Sequence, residues 1–348
     1  MPDEAVSSRG DPAAAARCAT SSAGECGVKD QVSRSGPPIG AGGPAARHLA
    51  IVGPTAAGKT ALAVAVARAL PGVELVSVDA MAVYRGLDIG TAKPDRAERL
   101  GVTWHLLDLV GPAEEFSVAR FQAAGREAIA GIEARGHRAV LVGGTGLYHR
   151  ALVDDLELPG RYPEVAAELE RAADAQGLGA LRARLEALDP IAAARVEPGN
   201  RRRIVRALEV TIGSGRPFSA SGPGLERYPA SAFAQVGLAV ERGALDARIA
   251  ARLDEQMRAG LLGEVARLAH APGGLGRTAR QALVYRELLE HLEGQRTLED
   301  ALAEALRRTR AFARRQQRWF GRDPRIVWLD VQRTDLSAAV VQLAARDT

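Results

Sequence analysis

Gly53-Pro54-Thr55-Ala56-Ala57-Gly58-Lys59-Thr60 matches the pattern G-x-x-x-x-G-K-[ST], and its flanks give the match physical meaning. Upstream, His48-Leu49-Ala50-Ile51-Val52 has the continuous apolar character of a buried strand. Downstream, residues 61–70 are strong or tolerable helix formers until Pro71-Gly72 stops the run. A strand that feeds a glycine-bracketed loop into a helix aims several backbone N–H groups at one point, where the helix N-terminus adds partial positive charge. That point accepts a phosphate. Gly53, Thr55, Ala56, Ala57 and Gly58 supply the loop, Lys59 offers a point charge to the terminal phosphate oxygens, and Thr60 offers a hydroxyl to a magnesium ion.

The 348 residues suffice for one large core or two modest ones, and a main domain with an insertion is expected. A hydrophobic fraction of 47% with 25% charged residues is that of a globular protein, and no apolar run approaches the length of a membrane span. The net charge of +4 leans toward a polyanionic partner. Lysine occurs only at 29, 59 and 93, so the basic character is almost wholly arginine. Both cysteines, Cys18 and Cys26, fall near the N-terminus and suggest neither a disulfide framework nor a zinc site. A cytoplasmic protein is expected. Residues 1–46, rich in Ala, Ser, Gly and Pro, read as a disordered tail, and their acidic residues are wrong for a transit peptide.

Beyond the first helix, Val73-Glu74-Leu75-Val76-Ser77-Val78 reads as a second strand ending at Asp79. In an open parallel sheet the crevice lies at the carboxyl ends of the strands, so Asp79 is expected beside the phosphate loop. Two roles suit a carboxylate there, a base or metal ligand and a helix N-cap. Residues 104–108 read as a third strand, 117–135 as an amphipathic helix, and Ala139-Val140-Leu141-Val142 as a buried strand. That strand ends in Gly143-Gly144-Thr145-Gly146-Leu147-Tyr148, where a nucleotide hydrolase would carry an acidic magnesium ligand. Residues 156–232 form short helices broken by turns, an insertion after which strand character returns at residues 233–240. The core is thus expected over 47–155 and 233–335. Within the insertion Arg202, Arg203 and Arg206 share a helical face, either solvated or set against polyanion. The C-terminal third reads as helices over 244–259, 261–270, 279–292 and 298–320, then a last strand at 325–330. The long helix interleaves Arg307, Arg308, Arg310, Arg314, Arg315 and Arg318 with Phe312, Trp319 and Phe320, which suits nucleic acid or an ordinary core with exposed arginines.

Several of these segments together resemble one family, the tRNA dimethylallyltransferases. The similarity is carried by the phosphate loop, by Ser77-Val78-Asp79 with Tyr84, and by Gly86-Leu87-Asp88-Ile89-Gly90-Thr91-Ala92-Lys93-Pro94. It continues through Gly143-Gly144-Thr145-Gly146-Leu147-Tyr148, residues 203–210 and Arg314-Arg315-Gln316. The resemblance implies a P-loop NTPase-like α/β fold, a parallel sheet flanked by helices with an α-helical insertion domain that binds tRNA. It implies a monomeric enzyme that moves a dimethylallyl group from dimethylallyl diphosphate to N6 of the adenosine 3′ to the anticodon, with Mg2+. It further implies that Asp79 is the general base, that Thr145 and Arg252 are catalytic, and that the loop holds a diphosphate leaving group, which explains the missing acid after Val142. The anticodon stem-loop is then expected at Asp79, Ala80, Met81 and Ala82, at Arg202, Arg203 and Arg206, and at Gln281, Tyr285 and Arg286. The chain departs from the family pattern at Val284, where a glycine commonly precedes the tyrosine, at Thr103-Trp104 ahead of His105, and at Asn200. A small-molecule P-loop kinase and a non-catalytic RNA-binding P-loop protein are the rival readings.

Overall fold

The computed structural model describes residues 47–221 and 224–345. The expected N-terminal tail, residues 1–46, lies outside them.

Six parallel strands form one sheet in the order β3-β2-β4-β1-β5-β6. They are β1 (His48–Val52), β2 (Val73–Val78), β3 (Trp104–His105), β4 (Arg138–Gly143), β5 (Phe233–Ala239) and β6 (Ile326–Asp330). The inner strands carry continuous apolar runs, Leu49–Val52 in β1 and Ala139–Val142 in β4, because helices cover both faces. Leu49 and Ile51 of β1 enter one core with Leu62 and Val66, while Ala50 between them enters the other with Phe121 and Tyr84. The twofold alternation of a strand accounts for that split.

The chain leaves β1 by α1 (Lys59–Ala69), forms β2, passes α2 (Arg96–Arg99) to reach β3, and then runs through α3 (Val118–Ala134) back to β4 between β1 and β2. The carboxyl end of β4 is thereby set between the phosphate loop and Asp79. After α4 (Gly146–Val153) come the four helices α5 (Pro163–Gln176), α6 (Leu178–Leu188), α7 (Pro190–Arg195) and α8 (Arg201–Ser214). These bury Leu169, Leu181, Leu185, Ile204 and Leu208 in a core of their own, which contains no strand residue. Beyond β5 follow α9 (Arg242–Arg258), α10 (Leu261–His270), α11 (Tyr285–Leu292) and α12 (Leu298–Phe320), and β6 leads to α13 (Leu336–Ala345).

Three elements differ from the sequence-based expectation. The third strand stops at His105 rather than 108, because Leu106 (φ 63°) and Asp108 (φ 57°) take left-handed conformations that end the extended chain. The helix expected over 279–292 is broken: Ala279–Gln281 is a single 3-10 turn, and Val284 at φ 72° intervenes before α11 starts at Tyr285. Finally, α13 extends the core past residue 335, with Val340 buried in the same cluster as Leu62 of α1.

Candidate active site

The loop between β1 and α1 is shaped by positive φ at Gly53 (142°), Ala56 (63°) and Gly58 (91°). A Cβ at Gly53 would lie 3.1 Å from the Leu238 carbonyl, so both conformation and space require glycine there. The first turn of α1 has neither an acidic residue nor a side-chain cap, which leaves its N–H groups to face the crevice. Lys59, half-buried, donates from Nζ to the Pro54 carbonyl at 2.7 Å. Burial, and then the Arg252 guanidinium, push its pKa down to about 8, with Asp79 opposing. Burial likewise lowers the pKa of Arg252 of α9, and Asp79 again opposes. Two cations and one carboxylate thus converge beside the N-terminus of α1. The excess positive potential suits a multivalent anion.

Asp79 follows β2 and caps a turn rather than a helix. Its Oδ1 accepts the N–H groups of Met81 (2.7 Å) and Ala82 (3.2 Å), and Oδ2 has no hydrogen-bond partner among the described residues. Thr145, the N-cap residue of α4, accepts the Ala80 N–H on Oγ1 at 3.2 Å and so fastens the Asp79 turn to the end of β4. Nearby, burial pushes the Tyr148 hydroxyl up to about 12, helped by Tyr84 and Asp79. The glycines after Val142 have a steric cause. A Cβ at Gly143 would sit 2.0 Å from the Val78 carbonyl, one at Gly144 2.2 Å from Gln316 Nε2, and one at Gly146 2.2 Å from Trp319 Nε1.

The loop following the Asp79 turn is held from three helices. Glu264 of α10, buried, accepts the N–H groups of Asp88 (3.2 Å), Ile89 (2.9 Å) and Gly90 (3.4 Å), while Gln256 of α9 donates to the Ile89 (2.6 Å) and Gly90 (3.2 Å) carbonyls. From α11, the Tyr285 hydroxyl donates to Glu264 at 2.5 Å and accepts the Gly90 N–H at 3.1 Å. Inside the loop, the buried Lys93 ammonium donates to the Tyr84 carbonyl (2.9 Å), Asp88 (2.6 Å) and Asp108 (2.6 Å). The left-handed turn at Asp108 aims its carboxylate at that lysine.

The expected residues divide on this geometry. The phosphate loop with Lys59 and Thr60, Asp79 and Thr145 follow the carboxyl ends of β1, β2 and β4, which are neighbours in the sheet, and Arg252 is within electrostatic reach of Lys59 and Asp79. Thr145, expected as catalytic, accepts the Ala80 N–H on Oγ1, and its own O–H has no acceptor among the described residues. Tyr285, expected at an RNA surface, is 0% exposed and bolts a loop internally. Ala82 is also buried, while Ala80 and Met81 are half-buried. On α8, Arg202 and Arg203 are exposed without a carboxylate partner among the described residues. Arg206, by contrast, turns inward, pairing with Glu209 at 2.8 Å and donating to the Pro159 carbonyl at 2.8 Å. Gln281 and Arg286 are exposed, Arg286 paired with Glu290 at 2.9 Å. On α12 the first arginines are paired, Arg307 with Glu304, Arg308 with Glu287 and Arg310 with Asp246. Arg314, Arg315 and Arg318 are exposed and have no carboxylate among the described residues.

Sequence reasoning missed Glu264, Gln256 and the role of Gln316. Gln316 accepts the Thr55 N–H (2.8 Å) and donates to the Gly144 carbonyl (2.8 Å), joining the phosphate loop to the glycine turn. A signal existed: Ala305, Thr309, Ala313, Gln316 and Phe320 form the buried stripe of α12, so Gln316 lies on the inward face of an arginine-rich helix.

Phosphate loop, parallel sheet and glycine turn define a P-loop-type α/β protein. A family model described as IPP transferase matches residues 82–323, and one described as isopentenyl transferase matches residues 46–109. A tRNA dimethylallyltransferase of Kineococcus radiotolerans is 50% identical over 81% of this chain and 90% of its own length, and one of Streptomyces coelicolor is 47% identical over 87% and 97%. The crystal structure of a full-length tRNA isopentenylpyrophosphate transferase from Bacillus halodurans superposes with a TM-score of 0.64 at 36% identity, covering 87% of this chain and 96% of that one. The chain belongs to the IPP transferase family, whose named relatives are tRNA dimethylallyltransferases.

Proposed function

We propose that the protein transfers the dimethylallyl group of dimethylallyl diphosphate to N6 of the adenosine 3′ to the anticodon of tRNA, releasing diphosphate. The observation that carries this reading is the convergence of Lys59, Arg252 and Asp79 beside a phosphate loop whose neighbouring strand ends in glycines instead of an acid. A diphosphate in the loop meets backbone donors, Lys59 and Arg252, all placed to stabilise charge that grows as it departs. The adenine N6 lone pair attacks the allylic carbon, the allylic C–O bond breaks with its electrons going to the diphosphate, and the N6 proton passes to Asp79 Oδ2. Because that lone pair is delocalised into the ring, a positioned base is worth about a hundredfold or more in rate. The two N–H bonds to Oδ1 fix the carboxylate and leave Oδ2 for the proton.

Among the described residues no three His, Cys, Asp or Glu side chains cluster as a metal site. The donor set nevertheless fits magnesium, which keeps much of its water and takes one or two protein ligands plus substrate phosphates. Thr60 would hold it, and the ion would neutralise diphosphate charge. For the RNA, the exposed arginines Arg202, Arg203, Arg314, Arg315 and Arg318, which have no carboxylate partner among the described residues, supply backbone contacts, and the target base must leave the loop stack to reach the crevice. Among the described residues no helix is long and apolar enough to cross a membrane. The enzyme acts on tRNA in the cytoplasm as a monomer. The kinase reading is set aside, since the family relatives are tRNA prenyltransferases by name.

The test is single-turnover prenyl transfer by Asp79→Asn. Transfer falls by about a hundredfold or more while tRNA and diphosphate still bind; a near-parental rate removes the base role.

A further inference from the structure

Gln316 is buried, yet it stands on α12 between exposed arginines and the loop that receives the diphosphate. Its two hydrogen bonds join the carboxyl end of β1, at Thr55, to that of β4, at Gly144. Space confirms the fit, because the amide occupies the volume that a Cβ on Gly144 would need. The last turns of α12 are also seated directly on the site: Trp319 lies against Gly146, and Phe320 packs with Val52 at the end of β1. Arg314 and Arg315 immediately precede Gln316, and Arg318 follows half a turn later. Thr55 N–H is one of the loop's own donors. A movement of α12 therefore changes the loop through a side chain that touches neither ligand.

We infer that Gln316 is a positioning residue that couples the seating of RNA on α12 to the anion affinity of the phosphate loop. The inference rests on the reading that the loop takes the diphosphate and the α12 arginines take RNA. By linkage, RNA tightens diphosphate binding by the same factor that diphosphate tightens RNA binding. A factor of about ten lies in the ordinary range for two communicating sites. Without Gln316 the two sites become independent.

The experiment is calorimetric titration of the full chain with inorganic diphosphate and magnesium, with and without a saturating anticodon stem-loop RNA. The parent protein is expected to bind diphosphate about tenfold more tightly with RNA present. Gln316→Met, similar in size but lacking both hydrogen bonds, is expected to keep its RNA affinity and show less than about a twofold gain. Gly144→Ala, which displaces the amide while leaving Gln316 in place, should behave as Gln316→Met does, and thermal unfolding checks that both variants are folded. A folded Gln316→Met with the parental gain overturns the inference, as does a parent whose two ligands bind independently. If the parent binds neither diphosphate nor RNA, the inference falls together with the functional reading beneath it.

Discussion

Lys59 shows how one residue reports the ligand its site was built for. Burial and Arg252 hold its pKa near 8, against an ordinary value of 10.5. Between pH 8 and 10.5 the unfolded chain keeps a proton that the folded chain has released, so this group makes the ligand-free protein more stable as pH rises through that window. Below pH 8 the cost of burying the ammonium, with a guanidinium beside it, is fully present. A bound diphosphate reverses the balance by favouring the charged amine. Titration with dimethylallyl diphosphate at pH 8 in buffers of different ionisation enthalpy is expected to show net proton uptake, with affinity falling as pH rises further. Lys59→Arg, always charged, should show no uptake. Zero uptake by the parent would mean that Lys59 does not face the anion.

The elements around the crevice are held by buried polar groups, and the segment before α11 carries a visible departure from ideal geometry. Val284, buried and β-branched, sits at φ 72° and ψ −44°, a region that glycine enters freely. The Val284 N–H donation to Glu287 (2.8 Å) and the Tyr285–Glu264 bond keep it there. Strain of about 1–3 kcal/mol then offsets most of the ~1.5–3 kcal/mol from burying a valine side chain. Two substitutions separate the contributions: Val284→Ala loses the packing and keeps the strain, whereas Val284→Gly loses the packing and relieves it. Thermal unfolding should therefore rank Gly above Ala at this position, the reverse of the order in an ordinary helix; Ala above Gly would deny the strain. On α8 Arg203 is exposed whereas Arg206 turns inward to Glu209 and the Pro159 carbonyl. Removing a phosphate contact lowers the slope of log affinity on log salt by about one. Arg203→Ala is expected to weaken tRNA binding with that shallower slope and leave diphosphate binding intact. An unchanged slope would return the α8 surface to solvent and leave α12 as the RNA face.

At the scale of the molecule, what could be read from the sequence was what is local. The phosphate loop declares itself because strand, loop and helix are contiguous; the place of Asp79 follows from the strand it ends, but its role as base is implied only by the family resemblance. The glycines at 143, 144 and 146 were legible as an absence of acid, but their cause, the approach of Val78, Gln316 and Trp319, exists only in three dimensions. Glu264 was illegible for the same reason: a glutamate within an amphipathic helix reads as solvated until the fold brings the N–H groups of residues 88–90 to it. Tyr285, expected at the RNA from the resemblance, and Arg206, expected there from its helical spacing and the resemblance, are engaged within the protein by burial and ion pairing, which no local pattern shows. The central claim is that this P-loop fold holds an allylic diphosphate as a leaving group and spends no nucleotide. The direct measurement is to incubate the protein with unmodified tRNA, dimethylallyl diphosphate and magnesium, with no nucleoside triphosphate added. Inorganic diphosphate and prenylated adenosine are then quantified together, the latter by mass spectrometry of the digested RNA. The account predicts one diphosphate released for each adenosine prenylated; transfer that requires a nucleoside triphosphate, or the appearance of phosphorylated product without prenylated adenosine, would contradict it.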